Sequence, residues 1–240
     1  MKNLQIFYSV NTTATKLSAT SCLAKCLNEN KTKEVLLLLS GGSAFSLLDS
    51  DNKWLRSQIT IGVLDERYSS DPKINNFQQL SSTSFFSWAK MRGCKFINTT
   101  VKRNESIVEL AHRFEKELKN WKDRNPKGLI IITQGMGPDG HTSGIMPYPE
   151  NKDLFVKQFE DESKWVVSYD ARKKNSYSLR VTTTIPFLKL VDISVMYAVG
   201  KEKANVLKKI LSEKIPRNIF PITTINEMKQ VFLFTDNIIN

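Results

Sequence analysis

The chain has 240 residues, 40% hydrophobic and 25% charged, which is long enough for a full core and ordinary for a globular protein. No apolar run approaches the roughly 20 residues of a membrane-spanning helix, and the start MKNLQIFYSVNTT lacks the apolar stretch of a secretory signal, so a cytoplasmic location is expected. The net charge of +11 suits an anionic small-molecule ligand; the lysines are scattered among acids and the longest basic run is Arg172-Lys173-Lys174, so nucleic acid is not the expected partner.

Residues 4–8 read as an opening strand, and residues 12–27 carry apolar or small side chains at helical intervals (Ala14, Leu17, Cys22, Ala24). Cys22 and Cys26 lie one helical turn apart and read as packing; with Cys94 they make an odd set without metal-type spacing. Val35 to Leu39 is a continuous aliphatic run, hence a buried strand, and it stops at Ser40-Gly41-Gly42-Ser43 before a short helix through Leu48. Strand, glycines, then helix is an arrangement in which backbone amides bind phosphate. Residues 59–64 form the next strand, which ends in the charged loop Asp65-Glu66-Arg67. Residues 75–89 read as largely helical, with Phe77, Leu80, Phe85, Phe86 and Trp88 as core.

Residues 95–97 read as a short strand. Residues 106–122 make the clearest helix: Ser106 and Glu109 form a capping-box pattern, and Ile107, Leu110, Phe114, Leu118 and Trp121 share one stripe. His112 falls off that stripe and reads as a surface residue. After Pro149 the pattern loosens. Residues 165–169 and 177–183 read as strands, the second carrying Arg180. A short helix begins at Pro186, residues 193–199 form a buried strand closed by Gly200, residues 203–211 form a helix, and residues 231–234 a last strand. With no repeats, low-complexity segments or linkers, residues 1–240 read as one domain. Its alternating strands and helices predict an α/β fold: a doubly wound, mostly parallel sheet with helices on both faces.

The centre of the chain is GLIIITQGMGPDGHTSGIMP, residues 128–147. A β-branched strand breaks into a turn rich in glycine, which permits close backbone approach to a ligand. Inside that turn sit Asp139 and His141. A histidine is more often a surface or structural residue than a catalyst, but this one lies at the carboxyl end of a sheet strand, where open α/β sheets place their ligand crevices.

The stretch GMGPDGHTSGIMP resembles the GxGxDGHTASLFP signature of 6-phosphogluconolactonases, within the group that includes glucosamine-6-phosphate deaminases. SGGS at Ser40–Ser43, DER at Asp65–Arg67, LRVTTTIP at Leu179–Pro186 and, more weakly, GKEKA at Gly200–Ala204 follow the family's order. Ala44 and Phe45 depart from the Thr-Pro that usually follows the glycines, and Gly144-Ile145 stands where Ser-Leu is usual.

The resemblance implies hydrolysis of a sugar phosphate lactone, 6-phospho-D-glucono-1,5-lactone, to 6-phosphogluconate, a step of the pentose phosphate pathway. In a doubly wound sheet the four strand-end loops can share one crevice. The glycine loop (Gly41, Gly42, Ser43) and Lys203 are implied in phosphate binding, and Arg180 more loosely. His141 is the expected general base, because imidazole is the side-chain type that exchanges a proton near neutral pH. Asp139 or Asp65 is expected to orient it, and Arg67 or loop amides to stabilise the oxyanion. No metal and no cofactor is expected, since the histidines and carboxylates show no ligand ladder. The deaminase branch is the main alternative, but it typically carries a glutamate before the proline where this chain has Met146-Pro147. A non-catalytic sugar-phosphate-binding protein is a further alternative.

Overall fold

The computed structural model describes residues 3–48, 52–212 and 214–238. The aliphatic runs form the middle of a seven-stranded sheet ordered β1-β10-β9-β6-β2-β3-β5. Its strands are β1 (Leu4–Tyr8), β2 (Val35–Leu39), β3 (Ile59–Val63), β5 (Lys95–Phe96), β6 (Leu129–Gln134), β9 (Ile193–Ala198) and β10 (Val231–Thr235). Every pairing in it is parallel. β2 and β3 are buried along their whole length, the signature of a parallel sheet covered on both faces.

Alternation along β2 divides the core. Leu36 and Leu38 face α4 (Ile107–Arg124) through Leu110, Phe114 and Leu118, while Leu37 and Leu39 face α1 (Thr12–Glu29) through Leu23 and Leu27. The α4 N-terminus has the full capping box, with Ser106 and Glu109 bonded reciprocally, and His112 is exposed on it. α3 (Ser84–Met91) adds Phe85 and Ala89 to the α1 side.

Chain order creates the crevice. From β2 the chain goes to β3 and β5 on one side, then returns through β6 to β9 and β10 on the other. Loops leaving the adjacent strands β2 and β6 therefore diverge, which opens a gap at their carboxyl ends.

The sequence reading differs from the fold in several places. The Asp65–Arg67 segment is a strand, β4, rather than a loop. It pairs antiparallel with β8 (Leu179–Thr183), which pairs antiparallel with β7 (Val166–Asp170), making a separate three-stranded sheet. Residues 75–89 divide into α2 (Asn76–Ser81) and α3, because Thr83 caps a new helix through a hydrogen bond from Phe86 N. In the loose stretch after Pro149 there is an additional helix, α5 (Lys152–Phe159), capped by Asn151 and anchored by Phe155 and Phe159. Two apolar anchors over so short a span leave too little periodicity to read. The short helix after β2 is a 3₁₀ helix, Gly42–Leu48. In it Ala44 is buried and Phe45 packs against the α1-side core, so both departures from Thr-Pro serve packing. α6 (Ile185–Lys189) and α7 (Ala204–Ser212) lie close to their expected positions.

Glu66 fixes how β4 meets α2. It is fully buried, and its carboxylate accepts hydrogen bonds from Arg67 N, Asn76 N (2.5 Å), Phe77 N (3.0 Å) and the Thr99 hydroxyl (2.8 Å). Burial pushes the carboxyl up to about 7 against the pull of those donors. The folded state therefore takes up the Glu66 proton at a higher pH than the unfolded chain, whose carboxyl titrates near 4.5. This contribution to stability is present below the unfolded value and is lost as pH rises through the folded one. Glu66→Ala should destabilise by about 1–3 kcal/mol in mildly acidic urea titrations, because buried amides lose their acceptor. The gap from wild type should narrow as pH rises from about 4.5 to about 7 and level off above that. A gap that widened with pH would reverse the sign assigned to Glu66.

Candidate active site

The expected loops meet in one cleft of about 230 Å³. Its wall includes Gly41 and Gly42 from the turn after β2, Asp65 and Arg67 from β4, and His141 from the loop after β6. Arg180 of β8 and Lys203 of the turn before α7 complete the set. The Ser43 side chain lies outside the described part of the molecule; its backbone lies in the 3₁₀ helix.

Short ties hold the loops in place. Ser40 N donates to the Thr133 hydroxyl at 3.0 Å, joining the β2 turn to β6. Asn76, at the start of α2, donates through Nδ2 to the Asp65 carbonyl at 2.9 Å. It also packs against Gly41, where a Cβ would come within 2.7 Å of Asn76 Oδ1. A side chain at position 41 would require Asn76 or the turn to shift.

Asp139 and His141 form a dyad. Nδ1 of His141 lies 2.6 Å from Asp139 Oδ1, and His141 N donates to the same oxygen at 3.1 Å. Gly137 makes this possible: a Cβ there would fall 2.0 Å from His141 Nδ1. Burial alone would raise the Asp139 carboxyl, but the hydrogen bond and charge of His141 outweigh it and hold the group below the ordinary range. With Nδ1 engaged, Nε2 is the nitrogen left to meet a substrate or water.

Asp65 has a different partner. Its carboxylate is 2.6 Å from Arg180 Nη2, and both side chains are buried. The two strands bring them together, since β4 and β8 pair residue for residue across Asp65↔Thr182 and Arg67↔Arg180. Asp139, rather than Asp65, is thus the carboxylate bonded to His141. Burial lowers the Arg180 pKa, but the adjoining Asp65 charge more than offsets this and keeps the guanidinium charged. Arg180 Nε and Arg67 Nε are buried without a hydrogen-bond partner among the described residues. Arg67 lies over the Tyr177 ring, 4.8 Å from its centroid. Lys203 Nζ is 3.7 Å from Glu202.

The chain is similar to known proteins in fold and sequence. A family model described as glucosamine-6-phosphate isomerases/6-phosphogluconolactonase matches residues 11–233. The chain belongs to that family. A probable 6-phosphogluconolactonase of Dictyostelium discoideum is 25% identical over 189 residues, covering 76% of each chain. The human 6-phosphogluconolactonase is 25% identical over 203 residues, covering 80% of this chain and 74% of its own. Among solved structures, the Plasmodium vivax 6-phosphogluconolactonase matches with a TM-score of 0.78 at 17% identity, over 100% of this chain and 93% of that one. At that identity the likeness is one of fold.

Several cleft residues are not singled out by the sequence: Asn76, Thr142, Ser143 and Tyr197 line the wall beside the expected ones. Gln134, which closes β6 and is fully buried behind the loop, is another. A glutamine ending a run of isoleucines is the available signal, since a buried amide requires partners.

Proposed function

We propose that this protein hydrolyses 6-phospho-D-glucono-1,5-lactone to 6-phosphogluconate. The observation that carries the reading is the Asp139–His141 dyad at the mouth of a cleft walled by arginine, lysine and a glycine turn. Several relatives named 6-phosphogluconolactonase support it.

In this mechanism a water attacks the lactone carbonyl carbon and gives its proton to His141 Nε2. The carbonyl π electrons move to the oxygen, which becomes an oxyanion facing Arg67 or the amides of the His141 loop. Collapse of the tetrahedral intermediate re-forms the carbonyl and breaks the bond to the ring oxygen, which takes the proton from His141. Asp139 holds the imidazole by Nδ1 and stabilises its charged form between the two steps. The phosphate is bound by the Gly41-Gly42 turn, Lys203 and Arg180, the last already oriented by Asp65.

No carboxylate precedes Pro147, where Met146 is instead buried in the core, so the ring-opening acid of the deaminase branch has no counterpart there. Purified protein should accelerate hydrolysis of freshly made lactone above its spontaneous rate. It should release no ammonia from glucosamine 6-phosphate, and no C2 proton should exchange in deuterated water. Enzyme-like ammonia release together with that exchange would replace the lactonase with the deaminase. Absence of all three signals would leave a sugar-phosphate-binding protein.

A further inference from the structure

We propose that Ser143 is a further catalytic residue, donating its hydroxyl hydrogen to the carbonyl oxygen of the lactone as negative charge develops there. This role rests on the lactonase reading. Its basis is a buried hydrogen-bond network whose donor directions are all determined.

The Thr142 hydroxyl donates to the Gly135 carbonyl at 2.7 Å, and a carbonyl can only accept. The Thr142 oxygen is therefore an acceptor toward Gln134, which places the Gln134 NH₂ 2.8 Å from Thr142 Oγ1. The same NH₂ then donates to Ser143 Oγ at 3.2 Å. The Gln134 carbonyl oxygen points the other way and accepts from the Ser194 hydroxyl of β9 at 2.8 Å. A flipped amide would set Gln134 Oε1 against a Thr142 oxygen whose hydrogen is already committed.

The two loop hydroxyls thus differ. Thr142 uses its hydrogen on the backbone. Ser143, a lining residue of the cleft that is only 4% exposed, accepts from Gln134, and its own hydrogen has no acceptor among the described residues. An amide donating into a hydroxyl oxygen polarises the O–H and strengthens it as a donor. Ser143 is also held in place by its backbone: φ is +51°, and its carbonyl accepts from the Thr182 hydroxyl of β8. The following Gly144, at φ +75°, lies against Asp65, and a Cβ there would come within 2.6 Å of the Asp65 side chain. The hydroxyl is fixed before substrate arrives, two residues from the imidazole that activates the water.

The carbonyl oxygen is the fitting acceptor. A sugar hydroxyl can donate as well as accept, and the phosphate is matched by the cationic groups. The carbonyl oxygen only accepts, and it alone gains charge during attack. The family signature GxGxDGHTASLFP has alanine where this chain has Ser143.

The test uses Ser143→Ala and Ser143→Cys in the full chain, with lactone hydrolysis and binding of 6-phosphogluconate both measured. Removal of one oxyanion donor lowers kcat by about 10²-fold. Both variants should show that loss, because a thiol fills the hydroxyl's space but donates weakly. KM and product binding should stay within about twofold, as a group acting only on the transition state requires. Wild-type kcat in Ser143→Ala would overturn the proposal. So would full recovery in Ser143→Cys, or loss of product binding in parallel with kcat, since each assigns Ser143 to packing. A wild type without lactone hydrolysis would instead overturn the parent reading, and this role with it.

Discussion

His141→Ala should lose roughly 10²–10⁴-fold in kcat while still binding 6-phosphogluconate, because general-base catalysis contributes about that much to such steps. The side chain makes a hydrogen bond to Asp139 and lines the cleft, and it is about a third exposed. Its removal leaves no buried charge unpaired, so the fold should persist. The companion control is His112→Ala, which alters an exposed position on α4 and should leave kcat unchanged. The two histidines differ only in place, so the comparison isolates the site from the chemistry of imidazole. Asp139→Asn should fall between them, since an amide still contacts Nδ1 but no longer stabilises the imidazolium. Undiminished hydrolysis by His141→Ala would remove this residue from the mechanism and leave the cleft without a base.

The second large effect is expected at Asp65, and it is one of stability as well as activity. Asp65 and Arg180 are both buried and 2.6 Å apart. Truncating one partner leaves a buried charge uncompensated, which costs about 3–5 kcal/mol. Asp65→Ala should therefore shift the urea midpoint far more than a surface aspartate would. Replacing the partner as well, in Asp65→Ala with Arg180→Met, should recover much of that loss, because an apolar pair does not require the charge to be desolvated. Activity should not recover with it, since Arg180 faces the cleft and would no longer bind the phosphate. Stability and catalysis would then separate in one variant. A double variant no more stable than Asp65→Ala would show that the ion pair is not the source of the loss.

The histidine of the dyad is legible in the sequence because its setting is local. His141 lies in a glycine-rich turn that ends a run of isoleucines, and a setting confined to such a turn can be read from the residues themselves. The β2, β3, β6 and β9 strands are legible for a similar reason: a parallel strand covered on both faces must be a continuous apolar run. The capping box of α4 is likewise a local pattern. The second sheet is not legible. β4 has only three residues, and whether a charged tripeptide is a strand depends on a neighbour 115 positions away.

Local patterns and long-range pairings divide the rest of the molecule in the same way. Composition, the aliphatic runs and the ordered motifs are sufficient for an α/β sheet and for a candidate general base, His141, in the loop after β6. They are not sufficient to say which acid serves His141, because either candidate carboxylate fits when spacing is the only guide. The β4–β8 register answered that by placing Arg180 against Asp65. The loop network depended on tertiary structure too: Ser194 is 60 residues from the Gln134 it bonds, and the two meet only because β6 and β9 are neighbours. Periodicity specifies which face of a strand is buried, but not which strand lies beside it. Contacts within a turn follow from the residues of that turn, whereas contacts between strands follow from register, and register is set by the packing of the whole chain.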